Sequence, residues 1–268
     1  MLRFTKMNGA GNDFVLLDNR AGSIHLSREQ ISKICDRHGG VGADGILVLE
    51  NPANGGDFRM RYYNRDGGEA EMCGNGARCF ARFAKRVAGA EGVITFETPA
   101  GLIGAELQGE AVTLQMSDPT DLRLNVNLQV EGEDAIVHVI NTGVPHAVML
   151  VARTDMVKVS ARGAAIRHHE MFSPKGANAN FLEKRGARRI AIRTYERGVE
   201  DETLACGTGV VASALIFAAL EKVNGPIGVL VQGGSELTVN FEKSGERFRN
   251  VTLTGPAEFV FEGRIGLD

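Results

Sequence analysis

Cys73-Gly74-Asn75-Gly76 and Cys206-Gly207-Thr208-Gly209 are two copies of one pattern, 206 − 73 = 133 positions apart in a chain of 268 residues. Each copy opens a helix-forming run, over 75–87 in the first case and 208–223 in the second. Upstream, Arg61-Tyr62-Tyr63-Asn64-Arg65 returns as Arg193-Thr194-Tyr195-Glu196-Arg197, at 193 − 61 = 132. Asn8-Gly9-Ala10-Gly11-Asn12-Asp13-Phe14-Val15 aligns with Asn141-Thr142-Gly143-Val144-Pro145-His146-Ala147-Val148, again at 133. Three matches in nearly one register point to a duplication. The chain therefore reads as two similar α/β halves, each running strand, turn, Cys-Gly-x-Gly, helix. The polar turn at 117–119 sets the boundary, giving halves at 1–118 and 119–261. Short terminal segments cross between the halves, with about 262–268 completing the first.

Around the repeat the chain alternates many short strands with few helices. Strand-like runs fall at 14–18, 46–50, 58–63, 93–97, 111–116, 136–140, 147–151, 189–195, 236–241 and 251–254. A first helix is expected over 27–38, opened by a Ser27/Gln30 capping box and stopped at Gly39-Gly40. The helix over 208–223 is apolar nearly all round and belongs inside a wrapped sheet. The helix over 75–87 is amphipathic, with Arg78, Arg82 and Arg86 on one stripe and Cys79, Phe83 and Val87 inward.

Composition narrows the function classes. Hydrophobic residues make up 43% and charged residues 24%, so the chain is globular. Thirty basic against 33 acidic residues give a net charge of −3, with no general footprint for nucleic acid or membrane. The densest basic stretch, Lys184, Arg185, Arg188 and Arg189, reads as a solvated turn before a strand. The opening segment lacks the apolar core of a signal peptide, so a cytoplasmic location is expected. Glycine is the outlier, at 34 of 268 residues against a usual share of about 7%. The four cysteines form no C-x-x-C, and in a reducing compartment they are expected to be thiols. Cys35, Cys79 and the His168-His169-Glu170 run read as core or surface residues, without zinc spacing. Gly9-Ala10-Gly11 is followed by Phe14 where a dinucleotide fingerprint needs glycine.

Each Cys-Gly-x-Gly sets a thiol before a helix N-terminus, whose N–H groups and dipole favour an anion and lower a thiol pKa. Its glycines let backbone approach a ligand. Two such thiols suit a disulfide redox couple. They also suit a two-base racemase, in which one thiolate removes a proton from a stereogenic carbon and the opposite thiol returns one on the other face. Helix N-termini aimed at the substrate carboxylate would stabilise the carbanion without a metal.

The runs Asn8–Phe14, Glu71-Met72-Cys73-Gly74-Asn75-Gly76-Ala77-Arg78-Cys79 and Tyr195-Glu196-Arg197-Gly198 leading to Ala205-Cys206-Gly207-Thr208-Gly209 resemble the signatures of the diaminopimelate epimerases. The resemblance spans essentially the whole chain. It implies a cofactor-independent epimerase converting LL- to meso-diaminopimelate in lysine and cell-wall synthesis, commonly a homodimer, with no metal. It implies an α+β fold of two pseudo-symmetric domains, each a curved, mostly antiparallel sheet around a central helix, with the active site in the cleft between them. By the same resemblance Cys73 and Cys206 are the acid/bases, and the backbone at Gly74, Asn75, Gly207 and Thr208 holds the reacting carboxylate. Asn12, Asn64, Asn178, Glu196 and Arg197 bind the rest of the substrate, and His146 and Glu196 assist the thiols. Two positions depart from the family pattern: Gly45 stands where glutamine is frequent, and Val144 where asparagine is common. The alternatives are a same-fold racemase acting on proline, hydroxyproline or histidine, and a non-catalytic thiol redox sensor or small-molecule-binding protein.

Overall fold

A computed structural model describes residues 1–245 and 247–267. The chain separates into two compact units, Met1–Leu114 with Gly255–Asp268, and Gln115–Thr254. The second segment of the first unit thus begins at Gly255 rather than near 262.

In chain order the first unit holds β1 (Leu2–Gly9), β2 (Asn12–Asp18), α1 (Arg28–Cys35), β3 (Gly45–Glu50), β4 (Phe58–Asn64), β5 (Glu69–Ala70), α2 (Gly74–Ala88), β6 (Val93–Thr98), β7 (Gly101–Gln108) and β8 (Ala111–Gln115). Then come β9 (Thr120–Val130), β10 (Glu133–Asn141), β11 (Pro145–Leu150), α3 (Val159–Arg167), β12 (Asn178–Gly186), β13 (Arg189–Glu196), β14 (Asp201–Thr203), α4 (Gly207–Glu221), β15 (Ile227–Leu230), β16 (Glu236–Ser244) and β17 (Arg247–Pro256). The last strand, β18 (Glu258–Ile265), returns to the first unit.

The offset read from the sequence holds at the level of elements. Adding 133 to the bounds of α2 gives 207–221, the bounds of α4. The pairings repeat as well. In the first unit β2 lies antiparallel to β1 and parallel to β3, β4 is antiparallel to β3 and β5 and parallel to β6, and β7 is antiparallel to β6. In the second, β11 lies antiparallel to β10 and parallel to β12, β13 is antiparallel to β12 and β14 and parallel to β15, and β16 is antiparallel to β15. The closing strands are exchanged: β18, late in the chain, pairs with β1, and β9, its repeat, pairs with β10. Most pairings are antiparallel, and each unit packs its long helix against its own strands.

Both helices pack where their sequence sends them. α4 lies against β10, β11, β12, β13, β15 and β16, with every residue from Gly209 to Ala218 buried, as its uniform apolarity demands. α2 packs on β1, β2, β3, β4 and β7 through Ala77, Phe80, Phe83 and Ala84. Its arginine stripe grades from core to surface. Arg78 is fully buried, whereas Arg82 and Arg86 lie over the ring of Phe259 on β18. Gly89, in the left-handed conformation, closes α2.

The helix expected over 27–38 is shorter. The capping box forms at Ser27 and Gln30, but α1 stops at Cys35. The Asp36 carboxylate turns back to accept from the N–H of His38 and Gly39, and Arg37 reaches away to Asp13 and Asp44. The helix expected over 208–223 likewise ends at Glu221, where Lys222 takes the left-handed conformation. α3 was not expected. Its Gly163 hides it from propensity, yet that glycine is required, because a Cβ there would run into the Tyr195 side chain. The basic cluster is the β12–β13 hairpin: Lys184 pairs with Glu221, Arg185 with Glu183 and Arg189 with Glu236.

Candidate active site

Cys73 is the N-cap residue of α2 and Cys206 that of α4, both with extended backbone and neither capping its helix through the side chain. Behind each thiol the first helical N–H groups have no carbonyl four residues back to bond, so the helix mouth favours an anion. Cys73 is half-buried and Cys206 buried, and neither is in a disulfide.

In the first unit a polar chain fixes the turn that carries Cys73. The Asn12 amide donates to Asp44 Oδ2 at 3.0 Å and accepts from Asn75 Nδ2 at 2.6 Å. Asn75 Oδ1 in turn accepts from the buried Arg78 guanidinium at 2.9 Å. Arg78 also donates to the carbonyls of Gly9 and Pro256, at 3.4 and 3.2 Å. Burial pulls its pKa down, while the neighbouring thiols Cys79 and Cys73 act against that. Gly9 is glycine because a Cβ there would sit 2.6 Å from the Asn75 carbonyl oxygen. At the far end of the chain, Asp13 accepts both guanidinium nitrogens of Arg37 and pairs with Lys6 at 2.7 Å. Burial alone would push the Asp13 carboxyl up, but the bonds from Arg37 and Lys6 win and bring it to about 2. Asn64 stands apart from this chain, exposed at the end of β4 and opposite Gly45. A Cβ at Gly45 would lie 2.5 Å from the Tyr63 carbonyl oxygen and 2.7 Å from the Tyr62 ring, so packing excludes glutamine there.

In the second unit, Glu196 is hydrogen-bonded to Cys206, and its Oε2 accepts from Thr203 at 3.0 Å. Burial raises the Glu196 pKa, partly offset by the Thr203 and Cys206 bonds. Cys206 Sγ lies 3.5 Å from Thr208 Oγ1, and the Thr208 carbonyl accepts from the Thr142 hydroxyl at 2.9 Å. Thr142 is the repeat of Gly9, since 9 + 133 = 142: both lie against the equivalent helical carbonyl, through a hydroxyl hydrogen bond in the second unit and through close backbone approach in the first. The Arg197 N–H donates to Asn178 Oδ1 at 2.7 Å. His146 is fully buried, and its Nδ1 faces the amide of Asn180 at 3.1 Å. Val144 sits half-buried in the turn before it, its carbonyl accepting from Thr142.

The structure thus joins Asn12 to Asn75, Glu196 and Thr208 to Cys206, and Asn178 to Arg197. Arg78, Thr142, Asn180 and Thr203 escaped the sequence reading. A signal existed for Asn180: Asn178-Ala179-Asn180 places two asparagines two apart, hence on one face of a strand. Cys35 and Cys79 are core residues, and burial pushes both thiols up to about 12. His168 ends α3, and His169 accepts from the Met171 N–H. Among the described residues no cluster of three or more metal-ligating side chains occurs, and no helix is long and apolar enough to cross a membrane.

The family model described as diaminopimelate epimerase matches residues 4–121 and 138–260, one Cys-Gly-x-Gly in each segment. The chain belongs to the diaminopimelate epimerase family. The diaminopimelate epimerase of Aquifex aeolicus is 43% identical over 98% of this chain and 98% of its own length, and that of Chlorobaculum tepidum 43% over 97% and 100%. Among solved structures, a Bacillus anthracis phenazine biosynthesis protein of the PhzF family superposes with a TM-score of 0.73 at 17% identity, covering 98% of each chain. A hydroxyproline epimerase from Agrobacterium vitis gives 0.72 at 15% identity, over 98% of this chain and 90% of its own. At that identity the likeness establishes the fold, and the family sequences carry the chemistry.

Proposed function

We propose that the chain converts LL- to meso-diaminopimelate by a cofactor-independent two-base reaction, with Cys73 and Cys206 as the acid/base pair. The observation that supports it most is the coincidence of a whole-length family match with a cysteine at the mouth of each repeated helix. One thiolate takes the α-proton. The electron pair moves onto the α-carbon and its carboxylate, where the N–H groups at Gly74, Asn75, Gly207 and Thr208 oppose the growing charge. The other thiol gives its proton to the opposite face, inverting the centre. Glu196 and His146 assist the thiols as polar neighbours, Glu196 at Cys206, while Asn12, Asn64, Asn178, Glu196 and Arg197 bind the remainder of the substrate. Arg197 suits a carboxylate because its guanidinium presents a fork of donors. The substrate is a small diacid, and the working form is a homodimer in the cytoplasm.

Purified protein without additives, incubated with LL-diaminopimelate in deuterium oxide, should yield the meso isomer with deuterium at Cα. Cys73→Ser and Cys206→Ser should each abolish net epimerisation. Full activity in either variant, or no exchange with any diaminopimelate isomer under reducing conditions, would sink the two-base assignment.

A further inference from the structure

Arg78 lies in the second turn of α2 and is fully inaccessible to solvent. A buried guanidinium is costly unless an acid pairs with it. Among the described residues none does, and every acceptor it meets is neutral. Nε donates to the Pro256 carbonyl at 3.2 Å and Nη1 to the Gly74 carbonyl at 3.5 Å. Nη2 donates to the Gly9 carbonyl at 3.4 Å and to Asn75 Oδ1 at 2.9 Å. Two of these acceptors, on Gly74 and Asn75, belong to the residues directly after Cys73. The cation also sets the direction of two amides. A guanidinium only donates, so Asn75 turns its oxygen to Arg78 and its NH2 to Asn12. Asn12 then turns its own NH2 to the Asp44 carboxylate.

A buried charge without an acid needs another counter-ion. The groups whose negative charge bears on Arg78 are two thiols, Cys79 and Cys73. Cys79 is fully buried and its thiol is pushed up to about 12, so it stays protonated. Cys73 is half-buried at the helix mouth, where the N–H groups already favour an anion. The Cys73 thiolate is the anion left to balance Arg78. Packing does not call for the cation. The repeat of Arg78 is Val211, since 78 + 133 = 211, and it is equally buried. An apolar side chain thus fills the same place in the second unit, without the cost of burying a charge. There the charged neighbour of the thiol is an acid, Glu196.

We propose that Arg78 is a positioning residue for Cys73: its guanidinium anchors the turn through Gly9, Gly74 and Asn75, and its fixed positive charge holds Cys73 as a thiolate. The use of that thiolate as a base rests on the epimerase reading, while its stabilisation by Arg78 does not.

The test is the rate of iodoacetamide alkylation of the full chain against pH, read peptide by peptide by mass spectrometry. In the native protein Cys73 should titrate below the ordinary thiol value of about 8.5. Arg78→Gln keeps polar hydrogen-bonding groups and removes the charge, and the Cys73 midpoint should rise by about one unit. Arg78→Lys keeps the charge and loses the fork, and should retain most of the native depression. The acid limb of kcat/KM for diaminopimelate should move up with the Cys73 midpoint in Arg78→Gln and return in Arg78→Lys. Equal midpoints in the two variants, or an Arg78→Gln midpoint unchanged from native, would reduce Arg78 to a packing residue and overturn the proposal. Should Arg78→Gln fail to fold, a native Cys73 midpoint at or above about 8.5 overturns it without any variant. The expected midpoints in a protein that turns over no diaminopimelate isomer would sink the epimerase reading and leave the role of Arg78 standing.

Discussion

Asp13→Asn removes one charge from the buried end of the polar chain that leads to Cys73. Lys6 is left 7% exposed with a carboxamide in place of its carboxylate, 2.7 Å away in the native protein, and Arg37 loses one of its two acid partners. The size of the effect follows from the Asp13 carboxyl, held at about 2 against an ordinary 3.8. That difference corresponds to about 2 kcal/mol of stability at neutral pH. Breaking a fully buried pair costs roughly 3–5 kcal/mol, an upper bound here because Lys6 still reaches the Gly42 carbonyl. A loss of about 2–3 kcal/mol is therefore expected at pH 7, read by urea unfolding. The pH dependence is more telling. A carboxyl depressed by folding stabilises above its unfolded pKa and loses that contribution as pH falls through its folded value. Native protein should therefore shed its advantage over the variant between about pH 4 and pH 2. A gap under about 0.5 kcal/mol at pH 7, or one that persists unchanged into acid, would refute the reasoning.

Gly209→Ala should cut kcat/KM by about a hundredfold with little change in far-ultraviolet circular dichroism, since the new methyl displaces Asn180 beside the Cys206 turn. Gly45→Gln should lower stability by about 1–3 kcal/mol in thermal unfolding, because its side chain meets the Tyr63 carbonyl and the Tyr62 ring. Iodoacetamide at pH 8.5 should alkylate Cys73 and Cys206 in folded protein and spare Cys35 and Cys79, whose thiols burial keeps near 12. Mass spectrometry of the peptides reads the outcome, and modification of Cys79 without unfolding would contradict it.

Much of the fold was legible because duplication writes every element twice. The two long helices, α2 and α4, declared themselves through Cys-Gly-x-Gly and, for α4, through uniform apolarity. The strands that escaped notice did so for physical reasons. β1 buries Thr5 and Lys6 among its apolar residues, and β12 buries Asn178 and Asn180, so neither alternates apolar with polar. The site was legible where motif and helix mouth coincide, at the two cysteines. Its supporting polar contacts were hidden, because Arg78 reads as a surface arginine until the fold carries it inward to the ends of β1 and β17. Packing likewise accounts for Gly45, which the sequence showed only as a departure from the glutamine frequent in the family.

The exchanged strands bear on how the chain comes to be folded. β1 has β2 beside it early, yet its other edge stays open until residues 258–265 have been made. The second unit runs uninterrupted from Gln115 to Thr254 and has all its strands to hand before then. Order of synthesis therefore opposes order of completion: the half that emerges first closes last. In the interval the Leu2–Gly9 edge is a bare row of amide and carbonyl groups, able to recruit the wrong strand. Dividing the gene at 118/119 would therefore be unequal: the first fragment would lose β18 and with it the partner of the open β1 edge, while the second would keep its own strands and carry β18 as a surplus.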